Sequence, residues 1–178
     1  MSGGRLQVMP VPWMVSPSVP ELRIRIMENG DTQVALDVAV LPTVLDDASE
    51  LVNCGVEVHF RHGQWVRTHP AASDIDAVPT GLFDRSAVEF GSVTGDPKSW
   101  MRRFRAEWMR QGHCPDPSFY EVLESRWIKE ENAARFGCRH FVLVGHDLWI
   151  EVLCVAVEWH WIAPGALGLD PRTLVGSS

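Results

Sequence analysis

Apolar and polar residues alternate along several stretches of the chain, and the alternation predicts strands. In ELRIRIMENGDTQVALDVAVL, Leu22, Ile24 and Ile26 are interleaved with Arg23 and Arg25. Past a turn, Val34, Leu36, Val38 and Val40 repeat the period of two that marks a half-buried strand. A two-residue Asn29-Gly30 turn would pair Arg25 with Val34 and mix the two faces. A three-residue loop, Glu28-Asn29-Gly30 with Gly30 left-handed, pairs Ile24 with Val34, Leu22 with Leu36 and Arg25 with Gln33. The burial pattern therefore selects the longer loop.

VEVHFRHGQWVRT reads as a second hairpin around Arg61-His62-Gly63, with Val58 against Val66, Glu57 against Arg67 and His59 beside Trp65. A third occupies CRHFVLVGHDLWIEVLCVAVEWHWI. A two-residue turn at Gly145-His146 pairs Leu143 with Leu148, Phe141 with Ile150, Val142 with Trp149 and His140 with Glu151. Phe141, Leu143, Ile150, Val152 and Cys154 then share one face, and Glu158 and His160 lie beyond the paired region. Ala87–Phe90 reads as a short strand and Ser118–Ile128 as a strand-like run. Asp46–Asn53 reads as a helical turn, His69–Arg85 as a long loop, and Lys129–Gly137 as a short helix or polar loop.

DPKSWMRRFRAEWMRQG is the strong helix. Asp96 suits the N-cap, Pro97 the first turn, and Gly112 the position past the end. Trp100, Phe104 and Trp108 recur at helical spacing, with Met101 beside them, while Arg102, Arg103 and Arg110 fall on the other side. The expected fold is α+β: a single domain over residues 1–163 with a predominantly antiparallel sheet. It is built from hairpins, seven to nine strands in all, and packed with one main amphipathic helix at about 97–111. Residues 164–178 show no periodicity and read as a loosely ordered tail.

The 178 residues, 46% hydrophobic and 22% charged, are enough for a proper core without disulfides or metals. A net charge of −7 argues against nucleic acid as the main partner, because phosphate binding needs concentrated positive charge. Pro10, Pro12 and Pro17 interrupt the opening segment, so no secretory signal is expected. No run of about twenty uncharged apolar residues predicts a membrane span. A soluble, cytoplasmic protein follows, with Cys54, Cys114, Cys138 and Cys154 as reduced thiols. Eight tryptophans against one tyrosine suit either a buried aromatic core or an aromatic binding surface.

Several chemistries fail on spacing. GSVTGDPKS places Asp96 and Pro97 between Gly95 and Lys98, where a phosphate loop needs glycine directly before lysine. GxGxxG, GxSxG and HExxH are absent from the sequence. His59 and His62 fall on opposite faces of a strand, with His62 in the turn. His113 and Cys114, with Cys138 and His140, form the candidate metal set. Cys-x-His on one strand face and a loop delivering the other pair would give Cys2His2 ligation of zinc. Cys114, before Pro115, is the accessible-looking thiol for nucleophilic catalysis, with His113 or His140 as base.

Lys98, Arg102, Arg103, Arg105 and Arg110 gather five of the sixteen cations into one helix, opposed there by Glu107. Together with the tryptophans, they point to an Arg/Trp-rich recognition surface for another protein. The functional expectation is a small non-catalytic interaction protein of a bacterial inhibitor, immunity or accessory type, with no cofactor. Arg102, Arg103 and Arg110 would form its partner-binding face. The alternative is an enzyme or ligand binder with a Cys/His-lined, zinc-binding cleft, or a sheet domain holding an apolar ligand.

Overall fold

The computed structural model describes residues 4–16, 22–42, 51–70, 82–90, 93, 95–145 and 148–162. In chain order the strands are β1 (Arg5–Val8), β2 (Met14–Val15), β3 (Leu22–Ile26), β4 (Thr32–Val40), β5 (Val52–Arg61) and β6 (Trp65–Pro70). Helix α1 (Pro97–Gln111) precedes β7 (Phe119–Leu123), and α2 (Arg126–Glu130) with a 3-10 turn (Ala133–Phe136) leads into β8 (Arg139–Val144), β9 (Leu148–Cys154) and β10 (Ala156–Ile162). Every strand pairing is antiparallel. The α+β expectation holds, with ten strands among the described residues rather than seven to nine.

The strands form two sheets. The first runs β1-β7-β8-β9-β6 and the second β10-β5-β4, with β3 and β2 both paired along the far edge of β4. Their facing sides share one core: Val34, Leu36, Val38, Val56, Val58 and Phe60 from the second sheet meet Phe119, Phe141, Leu143, Ile150 and Val152 from the first. Trp13, in the link around β2, is fully buried there and stacks on Phe119 at 5.9 Å.

The β3–β4 hairpin has the register that burial selected, Leu22 opposite Leu36, Ile24 opposite Val34 and Arg25 opposite Gln33. Gly30 takes φ +84°, and Met27 N–H bonds Asp31 O at 2.8 Å across the three-residue loop.

The second predicted hairpin is not one. β5 pairs with β4 and β10, whereas β6 pairs with β9 in the other sheet. Glu57 faces Ala35 and His160 instead of Arg67, and Val58 faces Val34 and Trp159 instead of Val66. Alternation reports which face a residue occupies, but not which strand lies beside it. Between β5 and β6 the chain changes sheet at Gly63, where an added Cβ would stand 2.9 Å from both Cβ and O of Phe60. Asp31 fastens this corner, accepting from His62 N–H at 2.8 Å and from Arg61 Nη1 at 3.2 Å.

Strands β8 and β9 do form a hairpin, and Phe141, Leu143, Ile150, Val152 and Cys154 share the core face as expected. The register differs by two: Val144 faces Trp149, Leu143 faces Ile150 and Phe141 faces Val152. A slip of two leaves every side chain on its own face, so burial could not detect it. The turn residues His146 and Asp147 lie outside the described residues. After the single residue Val155 the chain crosses to the second sheet as β10. Both crossings meet at one corner, where Val155 N–H bonds Arg61 O at 3.0 Å.

Helix α1 spans the predicted residues. Asp96 Oδ2 accepts from Ser99 N–H at 2.8 Å, and Gly112 closes the end at φ +72° with its N–H on Trp108 O. Phe104 and Trp108 are buried with Phe90 and Cys114, against Met14, Leu41 and Leu51. Each such side chain contributes about 1.5–3 kcal/mol by leaving water. Ala87–Phe90 consists of turns, not a strand, and Ser118–Ile128 divides into β7 and the start of α2. Val52 and Asn53, predicted in a helical turn, belong to β5, and His69 with Pro70, predicted in a loop, ends β6. Residues 43–50 and 71–81, and the tail from 164, lie outside the described residues.

Candidate functional site

Alternation along β8 and β9 puts His140, Val142 and Val144 beside Trp149, Glu151 and Leu153 on the outer side of the first sheet. This side is apolar and covered: Phe83 and Val88 pack over Tyr120, Val142, Val144 and Trp149, and Trp127 of α2 packs with Cys138 and Leu153. Within it lie three buried polar residues, Ser125, His140 and Glu151, of which His140 is 1% exposed.

They form a chain of contacts. Ser125 caps α2, its Oγ accepting from Ile128 N–H at 3.2 Å, and the same Oγ lies 2.8 Å from His140 Nδ1. His140 Nε2 lies 3.0 Å from Glu151 Oε2, too bent for a full hydrogen bond. The other carboxylate oxygen, Oε1, is 2.8 Å from His69 Nε2 at the rim. Hydrogen-bond logic assigns both imidazoles a proton on Nε2 facing Glu151, with the Ser125 hydroxyl donating to Nδ1. Burial pushes the Glu151 carboxyl up, but the bonds and charges of His140 and His69 outweigh it and hold the group below its ordinary value. The rings of Trp127 and Phe83 meet His140 edge-on at 5.3 and 6.2 Å, and Trp149 stacks on His69 at 3.9 Å.

Serine, histidine and glutamate in contact resemble a nucleophilic triad in composition. The Ser125 hydroxyl also serves as the helix cap, and the residue is 4% exposed. The network links α2 to β8, β9 and β6 through the Ser125–His140 and His69–Glu151 hydrogen bonds and the His140–Glu151 charge contact.

Of the proposed zinc ligands, Cys114 and Cys138 lie in separate core clusters, while Cys138 and His140 both border Trp127. Cys114 is fully buried under α1 with Phe104 and Trp108, and Cys138 lies in the cluster around Trp127. His113 Nδ1–H points at Gln111 O, 3.2 Å away, and His140 is engaged as above. Cys114 is not the accessible thiol that its loop position suggested. Burial pushes its thiol strongly up, raises Cys138, takes Cys154 to about 12 and, aided by the charge of Asp37, takes Cys54 to about 11.

On α1, Arg102 and Arg103 are exposed, while Arg110 bonds Glu107 with Nε 2.8 Å from Oε2. The tryptophans are largely interior: Trp13, Trp108, Trp127 and Trp149 are buried, Trp65, Trp100 and Trp159 are half-buried, and Trp161 is 49% exposed. The aromatic excess builds cores more than a surface.

A third cluster was not foreseen from the sequence. VEVHF in β5 and VEWHW in β10 share the pattern Val-Glu-x-His-aromatic, and they pair antiparallel with Glu57 opposite His160 and His59 opposite Glu158. Two glutamates and two histidines thereby occupy one outward patch of the second sheet. The repeated Glu-x-His was the available signal, but β10 was not recognised as the neighbour of β5. Glu57 Oε1 contacts His59 Nε2 and lies 3.3 Å from His160 Nε2. Arg61 holds Glu158, with Nε 2.7 Å from Oε1.

Fold and sites together define an antiparallel two-sheet α+β protein with a buried polar relay and an exposed His/Glu patch. No protein family, curated protein or solved structure matches the chain. Among the described residues no helix is long and apolar enough to cross a membrane.

Proposed function

We propose that the chain is a non-catalytic interaction protein that presents the outer face of α1 to an acidic surface on another protein. The observation that carries this reading is the exposure of Arg102 and Arg103 on a helix whose opposite side, Phe104 and Trp108, is fully committed to the core. Positive charge concentrated there, in a chain of net charge −7, steers an acidic partner to one face and keeps it from the rest. Met109, 60% exposed, adds adaptable apolar area beside the arginines. Arg110, tied to Glu107, contributes orientation of the helix end more than free charge.

The test compares wild-type protein with Arg102→Glu/Arg103→Glu/Arg110→Glu in affinity capture, followed by titration against the partner recovered. Loss of the partner with unchanged circular dichroism and unfolding midpoint is the expected result. Undiminished affinity in the triple variant would remove α1 from the interaction.

A further inference from the structure

We propose that Glu57, His59 and His160 form a binding site for a divalent transition-metal ion of the zinc class on the outer face of the second sheet. The argument begins with pairing. Two Glu-x-His segments set antiparallel place two imidazoles and a carboxylate on adjacent strands, at the positions where cross-strand side chains approach most closely. The three ligand atoms all lie within 4.8 Å of one another, the one such trio among the described residues.

Distances suit the ion. A tetrahedron of ~2.0–2.1 Å bonds has edges of roughly 3.3 Å, and His160 Nε2 stands 3.3 Å from Glu57 Oε1. The His59–Glu57 contact is tighter, and metal entry would replace the proton that joins them and let the pair open to that edge. The imidazole rings meet edge-on at 4.7 Å between centroids, so both nitrogens converge on the carboxylate without stacking.

Neighbouring residues keep the site available. Arg61 draws Glu158 aside, which leaves Glu57 to serve both histidines. The neighbour of Glu57 on β4 is the small Ala35, while Gln33 stands beside His59. Regular paired strands fix the positions better than loops would. His160 is exposed, with a side-chain exposure of 54%, and gives the ion direct access from solvent. Two imidazoles and one carboxylate leave a fourth position for water or for a donor from a bound partner.

The test uses the full chain, stripped with chelator and titrated with zinc chloride alone by calorimetry, with elemental analysis for stoichiometry. One zinc per chain is expected, weakened at least ~10-fold by His160→Ala and by His59→Ala. His62→Asn, one turn away, and Cys138→Ser should bind as wild type. Imidazole NMR signals of the wild-type protein provide a readout that needs no variant, and those of His59 and His160 should move on zinc addition. Failure of the wild-type chain to bind, full affinity in both histidine variants, loss on Cys138→Ser, or shifts confined to other histidines would each overturn the proposal.

Discussion

His69 faces Trp149 across the β6–β9 ladder and Glu151 faces Arg67, yet His69 Nε2 lies 2.8 Å from Glu151 Oε1. The contact is diagonal, one pleat along, and Trp149 makes it possible by stacking flat under the imidazole. Through it the rim of the first sheet is tied to a carboxylate whose other oxygen reaches His140 in the interior.

Removing Glu151 takes from buried His140 the carboxylate that faces its Nε2 at 3.0 Å, and from His69 its hydrogen-bond acceptor. Glu151→Ala should cost about 2–4 kcal/mol in urea unfolding, the range for breaking a buried polar pair. His69→Ala, at the rim, should cost about 1 kcal/mol. Equal losses from the two variants would mean that the His140 contact contributes nothing.

The relay also sets an acid limit. The Glu151 carboxyl titrates below its ordinary value of 4.5 in the folded chain, so its stabilisation is complete above that value and disappears as pH falls through the folded pKa. Unfolding midpoints between about pH 5 and about pH 3 should fall more steeply for wild type than for Glu151→Gln. Parallel curves would exclude Glu151 as a contributor to that slope.

At the corner, Gly63→Ala forces a methyl group to 2.9 Å from Phe60 Cβ and O and to 3.1 Å from Val152 Cγ1. Backbone must shift, and a cost of about 1–3 kcal/mol is expected by calorimetry or urea titration. Asp31→Ala, which removes the acceptor for His62 N–H and Arg61, should cost a comparable ~1–3 kcal/mol. A neutral result at both positions would mean that the corner is supple.

Thiol chemistry is a further check. With Cys114, Cys138 and Cys154 buried and every thiol pKa raised, native protein near pH 8 should react slowly with a thiol reagent, while denatured chain exposes all four cysteines at once. Rapid native labelling of Cys114 would contradict its packing under α1.

Sequence pattern carried the faces and the caps. Leu22–Ile26 against Thr32–Leu36, the stripe Trp100-Phe104-Trp108 and the Asp96/Gly112 boundaries were all legible, because each depends on residues near one another in the chain. Partner choice was not legible. Glu57 and Arg67 fit a hairpin as well as the true neighbours do, and nothing local says that His160, 103 positions from Glu57, lies opposite it. The His140–Glu151 pairing was legible, but Ser125 was not: it looks like an ordinary polar residue until α2 folds over the sheet.

The shared corner has a consequence for how the chain is made. β5 emerges from the ribosome with β4 as its only available neighbour, and its other edge waits until β10, about a hundred residues later, has been synthesised. β6 waits equally for β9. During that interval Val56, Val58 and Phe60 lack Ile150 and Val152 from the facing sheet and Val157 and Trp159 beside them, so their core is incomplete until the last strands are made. Arrival of the single continuous run from Leu148 to Ile162 then completes both sheets in one event.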